Sequence, residues 1–181
     1  MIKKLVYWND CRLAQKRERA SRYEASLGMD KKELCCFVCQ IPENSDKFFV
    51  PQRHCDNFAL NEEMTLSFKS PVPTKNSVNN TVYAKYIPPA HPSKKAVIII
   101  PHLGGKETDY ELFGKIMSKF SIATLLVLMP YHGRRTPYDA ISGELMVSAN
   151  IKNTLSAFRQ AVSDVYWATD WLYISIDAYQ F

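Results

Sequence analysis

The chain has 181 residues, 46% of them apolar and 23% charged, with a formal net charge of +5. That is the composition of a folded domain with a real core, and it excludes a disordered or fibrous chain. The longest apolar run, Ile122 to Met129, falls well short of the roughly 20 residues that span a bilayer, so no membrane partner is expected.

The first ten residues are basic but lack the apolar centre of a secretory signal. The five cysteines are an odd number, which argues against a closed disulfide framework and for a reducing, cytoplasmic location. Cys36-x2-Cys39 and His54-Cys55 carry four soft ligands, but adjacent residues point to different sides of an extended chain. Cys35 to Cys39 is therefore read as a small apolar segment, with no metal. Trp8 to Leu27 reads as a basic amphipathic helix carrying Arg12, Lys16, Arg17, Arg19 and Arg22. Glu18 and Glu24 break the charge, so a solvated face is expected, with no nucleic acid. Residues 40–62 read as irregular connecting chain.

From Met64 the pattern changes. Met64–Ser70 and Thr81–Ile87 alternate apolar and polar residues around a Pro/Asn-rich turn, which predicts an antiparallel hairpin. Lys95–Ile100 and Ile122–Met129 are unbroken apolar runs, the pattern of parallel strands buried on both faces. Between them, Thr108-Asp-Tyr-Glu111 reads as a capping box opening a helix, with Leu112, Phe113, Ile116, Met117 and Phe120 on its packing face. A second helix begins between Glu144 and Asn150 and runs to about Ile174. Its expected core stripe is Ile151, Leu155, Phe158, Val162, Val165, Ala168 and Leu172. Ile176–Phe181 is expected to start another strand. The fold class is α/β, divided into an N-terminal extension, residues 1–60, and a sheet-and-helix domain, residues 61–181.

Ligands in open α/β sheets bind beyond the carboxyl ends of the strands. Two loops qualify. His102-Leu103-Gly104-Gly105 follows the first apolar strand, and Tyr131-His132-Gly133-Arg134-Arg135 follows the second. Neither a dinucleotide fingerprint nor a P-loop occurs, and no cofactor is expected.

From Met64 onward the chain resembles the N-terminal half of an α/β-hydrolase, nearest to a bacterial group akin to dienelactone-hydrolase and acetyl-xylan-esterase-like enzymes. The residues that carry the likeness are Ser70-Pro71, Asn79-Asn80, Val97–Pro101, His102–Gly105, Leu128–Arg135, Ser148–Ile151, Arg159–Val162, Asp164 and Asp170–Leu172. The resemblance implies a partial α/β-hydrolase fold, an N-terminal β-hairpin plus parallel strands with flanking helices. It also implies that the backbone N–H of Leu103 or Gly104 serves as an oxyanion donor, and that His102, Tyr131, His132, Arg134 and Arg135 face a small-molecule, ester-like substrate. The serine nucleophile of that chemistry sits in a G-x-S-x-G elbow, which occurs nowhere in the sequence. The expectation is therefore a fragment, esterase-like when complete and inert alone, able to form oligomers or aggregates through an exposed sheet edge. The alternatives are a non-catalytic binding or scaffold protein that kept half the sheet, and a basic nucleic-acid module in residues 1–60.

Overall fold

The computed structural model describes residues 57–148 and 151–178, together with Cys36, Cys39, Phe48 and Phe49. The basic stretch Trp8–Leu27, Cys35, His54 and Cys55 lie outside the described residues, and Cys36 and Cys39 are exposed. The described strands are β1 (Ala59–Leu60), β2 (Thr65–Lys69), β3 (Thr81–Ile87), β4 (Ala96–Ile99) and β5 (Ala123–Val127); the helices are α1 (Thr108–Lys119) and α2 (Ile151–Ala178). They form one mixed sheet in the order β1-β2-β3-β5-β4, an α/β arrangement. β1 pairs antiparallel with β2, so the stretch expected to be irregular contributes a short edge strand.

The expected hairpin is present, with β2 antiparallel to β3, Leu66 opposite Ala84 and Phe68 opposite Val82. All four side chains are buried, as their alternation requires. β3 continues antiparallel onto β5, and β4 lies parallel to β5 with α1 as the crossover.

β5 is buried along its whole length, but β4 is not the doubly buried strand its sequence suggests. It lies at the end of the sheet, half-buried, and Ile100 just beyond it is 48% exposed. An unbroken apolar run records the apolar surroundings a strand is suited to, and here no described strand pairs with its outer edge.

α2 packs on the face formed by Leu66, Phe68, Val82, Ala84, Tyr86, Leu125 and Val127, contributing Ala168 and Leu172. Trp171 meets Tyr86 edge-to-face at 5.3 Å. Ile176 packs against the same core, three residues that recur every fourth position, so Ile176–Ala178 continues α2 instead of starting a strand. Tyr179–Phe181 lies outside the described residues. Further up α2 the buried stripe is turned by one residue from the expected one. Ala157, Gln160, Ala161, Ser163 and Asp164 are buried, whereas Ile151, Phe158 and Val162 are exposed.

α1 covers the other face, and its contact residue is Gly114, where a Cβ would come within 2.5 Å of Ile87 Cδ1 and 3.3 Å of Thr124 Cγ2. Close approach through a glycine turns the large side chains away. Leu112, Phe113, Ile116 and Phe120 are all exposed and Met117 is half-buried, so most of the expected packing face of α1 points outward. The capping box is also absent, because Glu107 is already helical and Thr108 lies within the first turn. The Asp109 carboxylate instead accepts a hydrogen bond from the Lys106 N–H at 3.0 Å.

Beneath α1 the Thr124 hydroxyl is buried with no hydrogen-bond partner among the described residues. Replacing a buried hydroxyl of this kind by a methyl of the same shape removes a desolvation cost of about 1–3 kcal/mol. Thr124→Val is expected to raise the melting temperature by roughly 2–12 °C, and an unchanged or lower midpoint in a thermal melt would show that the hydroxyl is satisfied in solution.

Candidate functional site

Because β4 and β5 are parallel neighbours, the loops leaving their carboxyl ends lie side by side. The β5 loop is anchored from below by a buried polar network. Arg135, fully buried, donates from Nη2 to Asp164 Oδ2 at 2.8 Å. Its remaining donors reach Asn79 O, at 3.1 Å from Nε and 2.9 Å from Nη2, and Leu128 O, at 2.8 Å from Nη1. Asp164 Oδ1 accepts from the Ser70 hydroxyl at 2.6 Å. Gln160 donates to Ser70 Oγ at 3.2 Å and accepts from Asn79 Nδ2 at 2.7 Å. The side-chain Oδ1 of Asn79 in turn accepts from the Tyr131 N–H at 2.8 Å. Burial pushes the Asp164 carboxyl up, and the Arg135 guanidinium and the Ser70 hydroxyl oppose that shift. The β2–β3 turn, the β5 loop and α2 are thereby tied into one unit.

Tyr131 sits at a φ of 60°, a strained backbone for a bulky residue. Its N–H is held by Asn79, and its carbonyl accepts from Gly143 N–H at 2.7 Å and Thr136 Oγ1 at 2.9 Å. His132, also buried, bridges the two loops. Its Nδ1 lies 2.8 Å from Pro130 O and its Nε2 accepts from the Gly104 N–H at 2.9 Å. A carbonyl on one side and an N–H on the other fix the neutral tautomer with the proton on Nδ1. Burial holds the His132 imidazole below the usual histidine range, Arg135 and His102 add to the shift, and the bond to Pro130 opposes it.

The candidate residues therefore divide. Gly104 N–H is spent on His132, and Gly105 N–H donates to His102 O at 2.8 Å. Among the described residues Leu103 N–H has no partner, and its side chain is exposed. His102 is exposed and pairs with the Tyr110 hydroxyl. Arg134 stacks on the Tyr83 ring at 4.9 Å and, with Gly105, Lys106, Glu107, Thr108, Leu128 and Gly133, lines a cleft of about 240 Å³. Arg135 and His132 are committed to the protein and position the loops.

Glu107 lines the same cleft, with its Oε1 buried and lacking a hydrogen-bond partner among the described residues. Burial pushes its carboxyl up, Glu111 adds to the shift, and Arg134 and Lys85 oppose it. Sequence reasoning missed Glu107 because a glutamate at a helix start is ordinarily a solvated partner of the helix dipole. It also passed over Gln160 and Asp164 as site-anchoring groups, although two polar residues among alanines on one stripe are the mark of a buried network. Among the described residues no group of three His, Cys, Asp or Glu is placed to hold a metal ion, and no described helix is long and apolar enough to cross a membrane.

No protein-family model matches the chain, and no curated protein matches it significantly.

Proposed function

We propose that residues 57–178 are half of an α/β-hydrolase sheet and form one wall of a serine-dependent ester-hydrolysing site, esterase-like when complete and inert as this chain. The observation that carries the reading is the unspent Leu103 N–H at the carboxyl end of β4, on a strand-to-helix loop held by His132. In that fold one oxyanion donor comes from such a loop, and a fixed donor contributes about 3–4 kcal/mol of transition-state stabilisation. Support also comes from the hairpin joined to a parallel strand pair, and from the cleft beside Arg134. The open apolar edge of β4 suits a further strand, which in the hydrolase reading carries the nucleophile. In this chain there is no G-x-S-x-G, so Leu103 N–H has no nucleophile to assist.

A second reading, a non-catalytic binding or scaffold domain, is favoured by one observation. His132 and Arg135, the most reactive-looking groups of the β5 loop, are fully engaged by the protein. Ester hydrolysis by the chain with and without the polypeptide encoded beyond codon 181 separates the two.

A further inference from the structure

His132 does more than fill a gap between loops. Among the described residues it is the one side chain that joins the loop after β4 to the loop after β5 through a hydrogen bond to a backbone N–H. The later part of the β5 loop, residues 137–147, folds back over the same point. Gly143 has a φ of 81°, and a Cβ there would come within 2.9 Å of His132 Nε2 and 3.2 Å of Gly104 N. Two segments of the β5 loop and the loop after β4 thus converge on one imidazole nitrogen that acts as an acceptor.

We infer that His132 is a positioning residue, a proton-sensitive latch whose neutral Nε2 holds Gly104 N–H and thereby leaves Leu103 N–H as the donor presented by the β4 loop. The inference rests on the hydrolase reading only for the use to which Leu103 is put; the latch itself is a statement about hydrogen bonding. When His132 takes up a proton, Nε2 becomes a donor facing another donor, and the Gly104 bond is lost. Nδ1 keeps its bond to Pro130 O in both states. The charged or titratable groups around the ring are Arg135 from its own loop and His102 from the β4 loop, and both disfavour the proton. The later part of the β5 loop carries two carboxylates, Asp139, which is exposed, and Glu144, which accepts from Ile141 N–H at 2.8 Å.

The folded protein binds its proton on His132 less readily than the unfolded chain does. The latch is closed above the ordinary histidine range and opens as pH falls through the depressed folded value.

The test is amide hydrogen exchange of the full chain, read by mass spectrometry on the peptide containing Gly104 and corrected for the intrinsic pH dependence of exchange. In the natural chain, protection of Gly104 is expected to fall by about tenfold as pH drops below the ordinary histidine range, the scale of one lost hydrogen bond. His132→Gln, which offers an acceptor oxygen and no titration, should keep protection independent of pH. His132→Phe should lose it at every pH. Gly104 protection that ignores both pH and His132→Phe overturns the latch. So does a loss shared equally by peptides of β5, which would mean that the whole sheet opens. Exchange is read without any ester, so a failed latch and a failed hydrolase reading give different results.

Discussion

Arg135→Ala is expected to destabilise the chain by about 3–5 kcal/mol, the cost of removing one partner of a buried ion pair. Domains of this size are stable by only about 5–15 kcal/mol, so the variant should be at the edge of unfolding at room temperature. The reason is structural. Arg135 is fully buried and neutralises Asp164, which is itself 1% exposed. It also satisfies two carbonyls, Asn79 O and Leu128 O. Alanine would leave the buried carboxylate without its counter-charge, with only the Ser70 hydroxyl as donor among the described residues, and would remove the Arg135 donors from Leu128 O and Asn79 O. Asp164→Ala should cost a similar amount, and the double variant less than the sum of the two, because the groups belong to one network. Urea denaturation measures all three. A loss below about 1 kcal/mol for Arg135→Ala, the value of an exposed pair, would show that water reaches the network.

The second large effect is self-association. β4 offers an outer edge with no described partner strand, and its sequence Ala-Val-Ile-Ile contains no charge and no proline. Such edges template pairing with another chain. In addition α1, which packs on β5 and β3, exposes Leu112 (70%), Phe120 (68%), Phe113 and Ile116, and each such side chain contributes roughly 1.5–3 kcal/mol when buried. The chain of 181 residues is expected to elute as an oligomer or aggregate in size-exclusion chromatography and to bind ANS. Leu112→Lys combined with Phe120→Glu should shift it towards the monomer. A clean monomer with a sharp melt in the unaltered chain would mean that this surface is already covered, and would favour the self-sufficient binding domain.

How much of this was legible in the sequence depended on whether one residue type dominated its surroundings. The β2–β3 hairpin was, because alternation along seven residues leaves only one face for Val82, Ala84 and Tyr86. The parallel pairing of β4 with β5 followed from the helix between them. The orientation of α1 was not legible: its apolar residues predict a buried stripe, whereas contact is made through Gly114, which carries no hydrophobic signal. On α2 the small and polar residues Ala157, Gln160, Ala161 and Asp164 took the inward positions, because the Arg135 network needs acceptors there more than the core needs Phe158 or Val162. The site loops were located by their place after the strands. Their internal bonding was not, since nothing in His-Leu-Gly-Gly says that the Gly104 N–H is taken by a histidine 28 residues away.

The central claim, that this sheet is one wall of a serine hydrolase site, is tested most directly by hydrolysis of a short acyl ester, p-nitrophenyl acetate. Two proteins are compared: the chain of 181 residues, and the same chain extended by the polypeptide that the nucleotides after codon 181 encode. The account predicts an apolar strand and a G-x-S-x-G within about a dozen residues of Phe181. It also predicts turnover by the extended protein that a serine-directed phosphonate abolishes, and none above the buffer blank for the shorter chain. Phosphonate-sensitive turnover by the shorter chain, or an extension without the elbow in any frame, would contradict it.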